Sequence, residues 1–227
     1  MPCTAKKFEV GRDQLKENGL PDVDISITTR ELARMIERAG IQFTALPDEQ
    51  FDDLLGVGSG AAVIFGATGG VMEAALRTAN DWLTGKDNES LEFHDVRGTD
   101  GLKEKTYTIN GVELKVAVAH GIKNANYVME QIKAGTAPWT FVEIMCCPGG
   151  CVTGGGQPIQ PASVLNTVDL KALRAKALYD QDAGMKLRKS HENPTVKAVY
   201  EEYLGEYGGH KAHEILHTTY VARKKFR

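Results

Sequence analysis

Short stretches of alternating or continuous apolar residues recur along the chain and predict β-strands. The predicted strands cover residues 23–28, 61–65, 91–96, 105–109, 112–119 and 140–145. Residues 112–119 alternate between apolar and polar, whereas residues 140–145 form an apolar run typical of a buried strand. Asn110-Gly111, between two of these stretches, predicts a tight hairpin turn.

Apolar residues at helical spacing, with start and stop signals, predict helices between and after these strands. Thr28 and Glu31 match a capping box, and Gly40 ends the helix that follows. Thr68-Gly69-Gly70 opens a second helix, which Gly85 ends. Its predicted inner face consists of Val71, Met72, Ala75, Leu76, Ala79 and Leu83. Further helices are predicted over residues 123–133, 168–187, 193–204 and 210–220, and residues 46–62 predict a loop with a short helix.

Strands that alternate with helices predict an α/β fold, with a mostly parallel sheet flanked by helices and a helical C-terminal segment. No repeat, low-complexity stretch or linker divides the sequence, so residues 1–227 are interpreted as one domain. The glycine-rich turn before the second helix is of a kind that can hold phosphate. It lacks the spacing of a dinucleotide fingerprint and the lysine of a P-loop, which argues against a nucleotide site.

The most informative stretch follows the strand at 140–145 and combines cysteines with glycines. It contains Cys146, Cys147 and Cys151 and then three consecutive glycines, while Cys3 lies near the opposite end of the chain. Glycine at this density lets the backbone approach a bound group closely. Thiolates on such a loop suit zinc or an iron–sulfur cluster. The residues alone leave one alternative open, which is that these cysteines only fill buried space.

Several motifs together resemble the catalytic domain of the iron-only ([FeFe]) hydrogenases. They are MPCTAKK (1–7), FGATGGVMEAALR (65–77), EIMCCPGGCVTGGGQP (143–158), and RKSHENP (188–194) with AHEILHTTY (212–220). The motif at 143–158 is highly specific, because few other sequences join a CxxxC spacing to a GGGQP loop. The family has an earlier cysteine motif, usually TSCCPxW, which has no match here. The chain therefore resembles one lobe of the catalytic domain, its C-terminal portion, and we expect it to be truncated or completed by another polypeptide.

The resemblance implies a cofactor, the H-cluster, and its ligands. Cys3 and Cys147 would each bind one iron of a [4Fe–4S] cluster. Cys151 would bind a third iron and bridge through the same sulfur to a two-iron subcluster that carries CO and CN⁻. Lys6 would donate a hydrogen bond to a cyanide, which suits a compact cation beside an anionic ligand. Lys6 and Cys151 are thus the residues expected to act in catalysis.

Phe65 and Met145 would complete the implied cofactor-binding set, with Lys6, by packing around the two-iron site. The fourth ligand of the four-iron cluster and a proton-relaying cysteine would come from the TSCCP-type motif, which this chain lacks. Cys146 is a poor replacement, because alternation at the strand end points it away from Cys147. A buried structural thiol is the alternative for Cys146.

The histidines invite a different metal hypothesis. His213 and His217 lie four residues apart in the sequence HEILH, which matches the HExxH pattern of zinc proteases. The resemblance covers this segment too, and it implies a structural helix there. His94 and His120 are interpreted as hydrogen-bonded structural residues.

Composition narrows the class of protein without identifying its chemistry. The 227 residues are 42% hydrophobic and 25% charged, as in ordinary soluble globular proteins. A net charge of −3 offers no basic surface, so neither nucleic acid nor a membrane is expected as a partner. No apolar run reaches transmembrane length. Three clustered cysteines are unlike a disulfide framework, so we expect an anaerobic or reducing cytoplasm.

Two functional hypotheses follow. The first is part of an iron-only hydrogenase that catalyses the reversible reduction of protons to H2, with ferredoxin or an NAD(P)-linked subunit as electron partner, and that is inactive without the missing half. The second is a non-catalytic, hydrogenase-like iron–sulfur protein in cluster assembly or sensing. Lys6 and the intact loop that contains Cys147 and Cys151 favour the first.

Overall fold

The structure, a computed structural model, describes residues 2–52 and 55–222. Met1 of the first motif and two residues of the loop predicted at 46–62 lie outside the described residues. The strands are β1 (Lys16–Glu17), β2 (Leu20–Pro21), β3 (Leu102–Ile109), β4 (Val112–His120) and β5 (Phe141–Met145). The α-helices are α1 (Lys6–Glu9), α2 (Thr29–Arg38), α3 (Gly60–Val63), α4 (Gly70–Thr84), α5 (Ile122–Lys133), α6 (Ala162–Leu165), α7 (Leu170–Gly184), α8 (Pro194–Val199) and α9 (His210–Leu216).

Helices pack on a small sheet, which confirms the α/β class. β3 and β4 pair antiparallel through the predicted hairpin turn, where Asn110 and Gly111 both adopt positive φ. α5 then crosses over, and β5 pairs parallel with β4, so that Val116 lies opposite Phe141 and His120 opposite Met145. In the described part of the chain this sheet is therefore mixed rather than mostly parallel. The expectation failed because three of the predicted strands do not form.

Three predicted strands were wrong, at residues 23–28, 61–65 and 91–96. The first forms no strand and contains a bend at Asp24, and the third ends in a 3₁₀ turn at His94–Val96. The second is helical, and Ser59 caps α3 by accepting the N–H of Ala62 at 3.3 Å. A short apolar run does not distinguish a strand from a buried helix, and here the tertiary setting selects the helix.

The predicted helices form where their start and stop signals lie. Thr28 and Glu31 make the capping box of α2 with both hydrogen bonds present. α4 ends at Gly85, which adopts φ +65° and donates to the carbonyl of Asp81. The helix predicted at 193–204 forms as α8 followed by a π-helical turn at Tyr200–Leu204, whereas α9 stops at Leu216, short of the predicted end at residue 220.

α4 packs against the sheet and carries the hydrophobic core. Met72 and Leu76 meet Val96, Val116 and Val118 in one buried cluster. The rest of the inner face predicted for α4, which comprises Val71, Ala75, Ala79 and Leu83, is only half-buried. The face of α4 that packs on the sheet is therefore narrower than predicted, because α4 also buries charged residues on a second side.

That second side of α4 holds α7 through buried ion pairs that the apolar pattern did not predict. Arg77, which is fully buried, bonds Glu73 at 2.9 Å and Asp182 of α7 at 2.8 Å. Arg188 reaches the same carboxylate at 2.6 Å. Burial raises the pKa of Asp182, but its bonds to Arg77 and Arg188 outweigh burial and hold that pKa below its usual range.

No helix in the described part of the chain is long and apolar enough to cross a membrane.

Candidate metal centre

The loop that carries Cys146, Cys147 and Cys151, here called the cysteine loop, follows the carboxyl end of β5. This end lies beside the carboxyl end of the parallel strand β4. Ligands of α/β folds commonly bind at this edge. Cys146 is exposed, so it is not the buried structural thiol considered as an alternative, and it lies near enough to Cys147 to raise the pKa of that thiol. Cys147 and Cys151 are half-buried, and Cys151 begins a 3₁₀ turn that ends at Thr153.

Gly149 fixes the loop, because both its backbone groups are bonded to other elements. Its N–H donates to His120 Nδ1 at 2.8 Å, and its carbonyl accepts the N–H of Thr68 at 3.1 Å. His120 Nε2 lies 3.1 and 3.0 Å from the carbonyls of Thr99 and Asp100, so the ring proton belongs on Nε2 and Nδ1 is the acceptor. His120 is thus the hydrogen-bonded structural residue that was predicted.

The glycines after Cys151 hold the amino-terminal segment. The N–H of Gly156 donates to the carbonyl of Pro2 at 2.6 Å. A Cβ on Gly154 would lie 2.3 Å from that carbonyl oxygen, whereas one on Gly155 would meet only the Thr4 side chain, at 3.3 Å. Glycine is therefore required where the two segments touch. This contact brings Cys3, between Pro2 and Thr4, to the cysteine loop.

The three thiols influence one another electrostatically. Burial raises the pKa of Cys147, and the neighbouring Cys146, Cys3 and Cys151 raise it further. Burial also raises the pKa of Cys151, with a further contribution from Cys3, while Lys6 acts in the opposite direction. The structure thus brings Cys3, Cys147, Cys151 and Lys6 to one region.

This donor set fits an iron–sulfur cluster better than a single ion. An all-thiolate set selects zinc or iron–sulfur clusters. Three ligands of one zinc ion stand about 3.8 Å apart, given Zn–S bonds of about 2.3 Å and tetrahedral angles. Within the described ranges, the three sulfur atoms do not all lie within 4.8 Å of one another. Ligands to different irons of one cluster are necessarily spread more widely.

The remaining predicted site residues lie next to this region. Lys6 belongs to α1, where its ammonium group pairs with Glu9, and its side chain is 41% exposed. Phe65 lies in the 3₁₀ turn Ile64–Gly66, whose last carbonyl is close to Gly150, and it is 43% exposed. Met145 is half-buried at the end of β5. The roles of Lys6, Phe65 and Met145 toward a cofactor stay predictions.

The histidine clusters are not built for a metal. The rings of His213 and His217 stack with centroids 4.3 Å apart, and His217 lies beyond the end of α9. Asp81, His191 and Glu192 come together, but Lys189 already occupies the cluster and binds Asp81 at 2.6 Å. The HExxH hypothesis therefore finds no support in the geometry.

Comparison with known proteins extends these observations. Residues 1–155 match the family model described as iron only hydrogenase large subunit, C-terminal domain, and residues 168–223 match the model of the iron hydrogenase small subunit. The NADP-reducing hydrogenase subunit HndD of Solidesulfovibrio fructosivorans is 48% identical over 99% of this chain and 38% of its own length. Iron hydrogenase 1 of Clostridium pasteurianum is also 48% identical, over 97% of this chain and 38% of its own length.

More distant relatives carry a different name. Protein NAR1 of Arabidopsis thaliana is 33% identical over 97% of this chain and 48% of its own length. Among solved structures, a variant of the [FeFe]-hydrogenase HydA1 from Chlamydomonas reinhardtii matches with a TM-score of 0.74 and 41% identity. It covers 98% of this chain, which in turn covers 62% of that structure. The chain spans 38% of the length of both the HndD subunit and iron hydrogenase 1. The match over residues 1–155 places this chain in the iron-only hydrogenase large-subunit family.

Proposed function

We propose that the chain supplies one lobe of the catalytic domain of an iron-only hydrogenase, which interconverts protons and electrons with H2. The observation that carries the proposal is the seating of the Cys3 segment on the glycines that follow Cys151. A structural cysteine would not need this long-range contact, whereas a ligand set from both ends of the chain does.

In this proposal Cys3, Cys147 and Cys151 would hold a [4Fe–4S] cluster, and Cys151 would also hold the two-iron subcluster with its CO and CN⁻ ligands. When bound, this cofactor supplies the redox chemistry. The glycine contact fixes Cys3, and the bonds of Gly149 to His120 and Thr68 fix the loop that carries the other two thiols.

Lys6 would orient the cofactor rather than react itself. Its ammonium group lies near Cys151, and its positive charge favours an anionic ligand there. Rotation away from Glu9 would free its protons to donate to a cyanide. Phe65 and Met145 would cover the two-iron site and exclude water from it.

The chain accounts for three cluster ligands, and a cubane needs four. We propose that a segment or polypeptide with the TSCCP-type motif supplies the fourth ligand and the proton-relaying cysteine. Ferredoxin or an NAD(P)-linked subunit would supply electrons. A cytoplasmic location and a single domain over residues 1–227 stay predictions.

Activity with and without the complementing segment tests this proposal. The chain is matured anaerobically, alone or co-expressed with a polypeptide that carries the TSCCP-type motif, and hydrogen evolution from reduced viologen is measured. We expect no turnover from the chain alone and turnover from the pair. Turnover by the pair must be lost in Cys151→Ser and retained in Cys146→Ser, since Cys146 is exposed and has no assigned role. Full activity of the chain alone would refute the need for a complementing segment.

A second candidate is a non-catalytic role in iron–sulfur cluster assembly or sensing. It is favoured by the match to protein NAR1 and to the cytosolic iron–sulfur assembly component 3 of Bos taurus, which is 30% identical over 99% of this chain. Infrared spectroscopy separates the candidates, because only the hydrogenase cofactor carries CO and CN⁻. A complemented, matured protein with a four-iron cluster and no CO or CN⁻ bands would favour the assembly role.

A further inference from the structure

Glu143 is a buried acid on β5, four residues before Cys147, and the site as described gives it no role. Glu143 is only 5% exposed. Its two carboxylate oxygens each accept a backbone N–H from the start of α4: Oε1 from Gly69 and Oε2 from Met72, both at 2.7 Å. A side chain of the sheet is therefore bound to the first turn of a helix that follows a glycine-rich turn.

These two hydrogen bonds take the place of the two in a complete capping box. Gly69 is the N-cap of α4 and Met72 its third residue, and the N-cap has no side chain with which to cap the helix. In a capping box these same two N–H groups are satisfied by two local side chains. Here a single carboxylate, from a strand more than 70 residues further along the chain, satisfies both.

A hydrogen bond links this capped turn to the cysteine loop. Thr68, which precedes the capped Gly69, donates its N–H to the carbonyl of Gly149 at 3.1 Å. The backbone around Gly150 packs so closely on this turn that an added Cβ would lie 2.6 Å from the Thr68 nitrogen. Displacement of Glu143 would therefore shift the turn on which the loop rests.

Glu143 also carries charge close to the thiols. Burial raises its pKa, and the N–H groups of Gly69 and Met72 and the positive charge of Lys103 offset this effect only in part. The amino terminus of a 15-residue helix favours the ionised carboxylate. The carboxylate lies on the strand that leads into the loop of Cys147 and Cys151, and it binds Gly69, next to the Thr68 that is bonded to Gly149 of that loop. A negative charge held there would oppose any electron added to a group that Cys151 holds.

We propose that Glu143 is a positioning residue of the cysteine site, which locks the start of α4 against the loop and lowers the reduction potential of the bound cluster. This inference rests on the proposed function, because it needs a cluster on Cys3, Cys147 and Cys151. A buried charge acts through a low local dielectric and is screened little by salt. The effect on the potential therefore exceeds that of a surface carboxylate.

The test separates charge from position with two substitutions. Glu143→Gln keeps the length of the side chain and removes the charge. Glu143→Asp keeps the charge but is too short to accept both N–H groups. Glu113→Gln, at an exposed position of β4, is the control for loss of one negative charge. Each complemented protein is loaded with its cluster anaerobically, and the midpoint potential is measured by a redox titration followed by electron paramagnetic resonance.

We expect Glu143→Gln to raise the midpoint potential by about 30 to 60 mV, a three- to tenfold change in the reduction equilibrium at 59 mV per tenfold. Glu143→Asp should lower the melting temperature and move the potential much less, and Glu113→Gln should change neither. Equal potentials in wild type and Glu143→Gln would overturn the charge role, and an unchanged melting temperature in Glu143→Asp would overturn the positioning role.

Hydrogen exchange on the wild-type chain needs no variant. The amides of Gly69 and Met72 should exchange slowly, together with those of Thr68 and Gly149, because one set of contacts protects all four. Fast exchange at Gly69 and Met72 would overturn the cap. A wild-type protein that takes up no iron or sulfide would instead refute the proposed function, and the inference on the potential would fall with it.

Discussion

Replacement of Gly154 by alanine tests how the two ends of the site are held together. Gly154 has φ −56° and ψ 148°, which an alanine adopts without strain, so backbone preference predicts no effect. The new Cβ would nevertheless lie 2.3 Å from the carbonyl oxygen of Pro2 and 2.6 Å from its carbonyl carbon. Neither atom belongs to a flexible side chain, so one of the two backbone segments must move.

The relative free energies decide which segment moves. Insertion of a methyl group into a packed contact costs roughly 1 to 3 kcal/mol. The bond from the Gly156 N–H to the Pro2 carbonyl contributes only about 0.5 to 1.5 kcal/mol. The loop is fixed by Gly149 on its other side, whereas Pro2 and Cys3 belong to no helix or strand. We therefore expect the Pro2–Thr4 segment to detach, with Cys3, while the core stays folded.

Hydrogen exchange at the Gly156 amide measures this detachment, because its protection depends on the Pro2 carbonyl. We expect Gly154→Ala to speed exchange at Gly156 about tenfold, which corresponds to about 1.4 kcal/mol, with a small change in the melting temperature. In the complemented protein the same variant should bind less iron, because one thiolate ligand is displaced.

The neighbouring glycine supplies the matched control. A Cβ on Gly155 would meet only the Thr4 side chain, at 3.3 Å from Oγ1 and 3.5 Å from Cγ2, and a side chain can rotate away. Gly155→Ala should therefore leave exchange at Gly156 and iron binding unchanged. If Gly154→Ala and Gly155→Ala behave alike, the seating of the Cys3 segment on these glycines is wrong.

Two further predictions concern the scaffold around the site. Asp182→Asn should lower the free energy of unfolding by about 3 kcal/mol in urea denaturation, because it removes one of the two carboxylates that pair with the buried Arg77. Asp180→Asn breaks only an exposed pair with Lys176 and should cost under about 1 kcal/mol. The bond from Lys7, together with the capping hydrogen bonds, lowers the pKa of Glu31 from 4.5 to about 2. The stabilisation of α2 by ionised Glu31 is then present above pH 4.5 and is lost as the pH falls toward 2. Glu31→Gln should therefore show a flatter dependence of α2 helicity on pH in that window, measured by circular dichroism.

Local signals in the sequence located the parts of the fold that short-range chemistry determines. The capping box at Thr28, the αL end of α4 at Gly85 and the hairpin turn at Asn110 each depend on neighbouring residues, and each formed as predicted. The segment at 61–65 failed because its helix depends on distant packing. Gly60 fits against Asp182 so closely that a Cβ would lie 2.0 Å from the carboxylate, and no local pattern reveals that contact.

The candidate site likewise has some features that local sequence reveals and others that depend on distant contacts. The CxxxC spacing and the glycines made the loop visible, and the resemblance linked it to Cys3. The reason for Gly154 and Gly156 could not be predicted, because it lies in a contact with Pro2 more than 150 residues away. The role of Glu143 was hidden for a similar reason, since a lone acid in an apolar strand does not reveal which helix it caps. A buried charge in a strand is nevertheless unusual enough to serve as a signal.

We propose that Cys3, Cys147 and Cys151 together hold one iron–sulfur cluster. Iron and sulfide analysis with Mössbauer spectroscopy, on the complemented protein loaded anaerobically, tests this proposal. We expect a four-iron cluster signal that is reduced or lost when any one of the three cysteines is changed to serine and that persists in Cys146→Ser. An unchanged cluster in the triple serine variant, or loss of the cluster in Cys146→Ser alone, would contradict it.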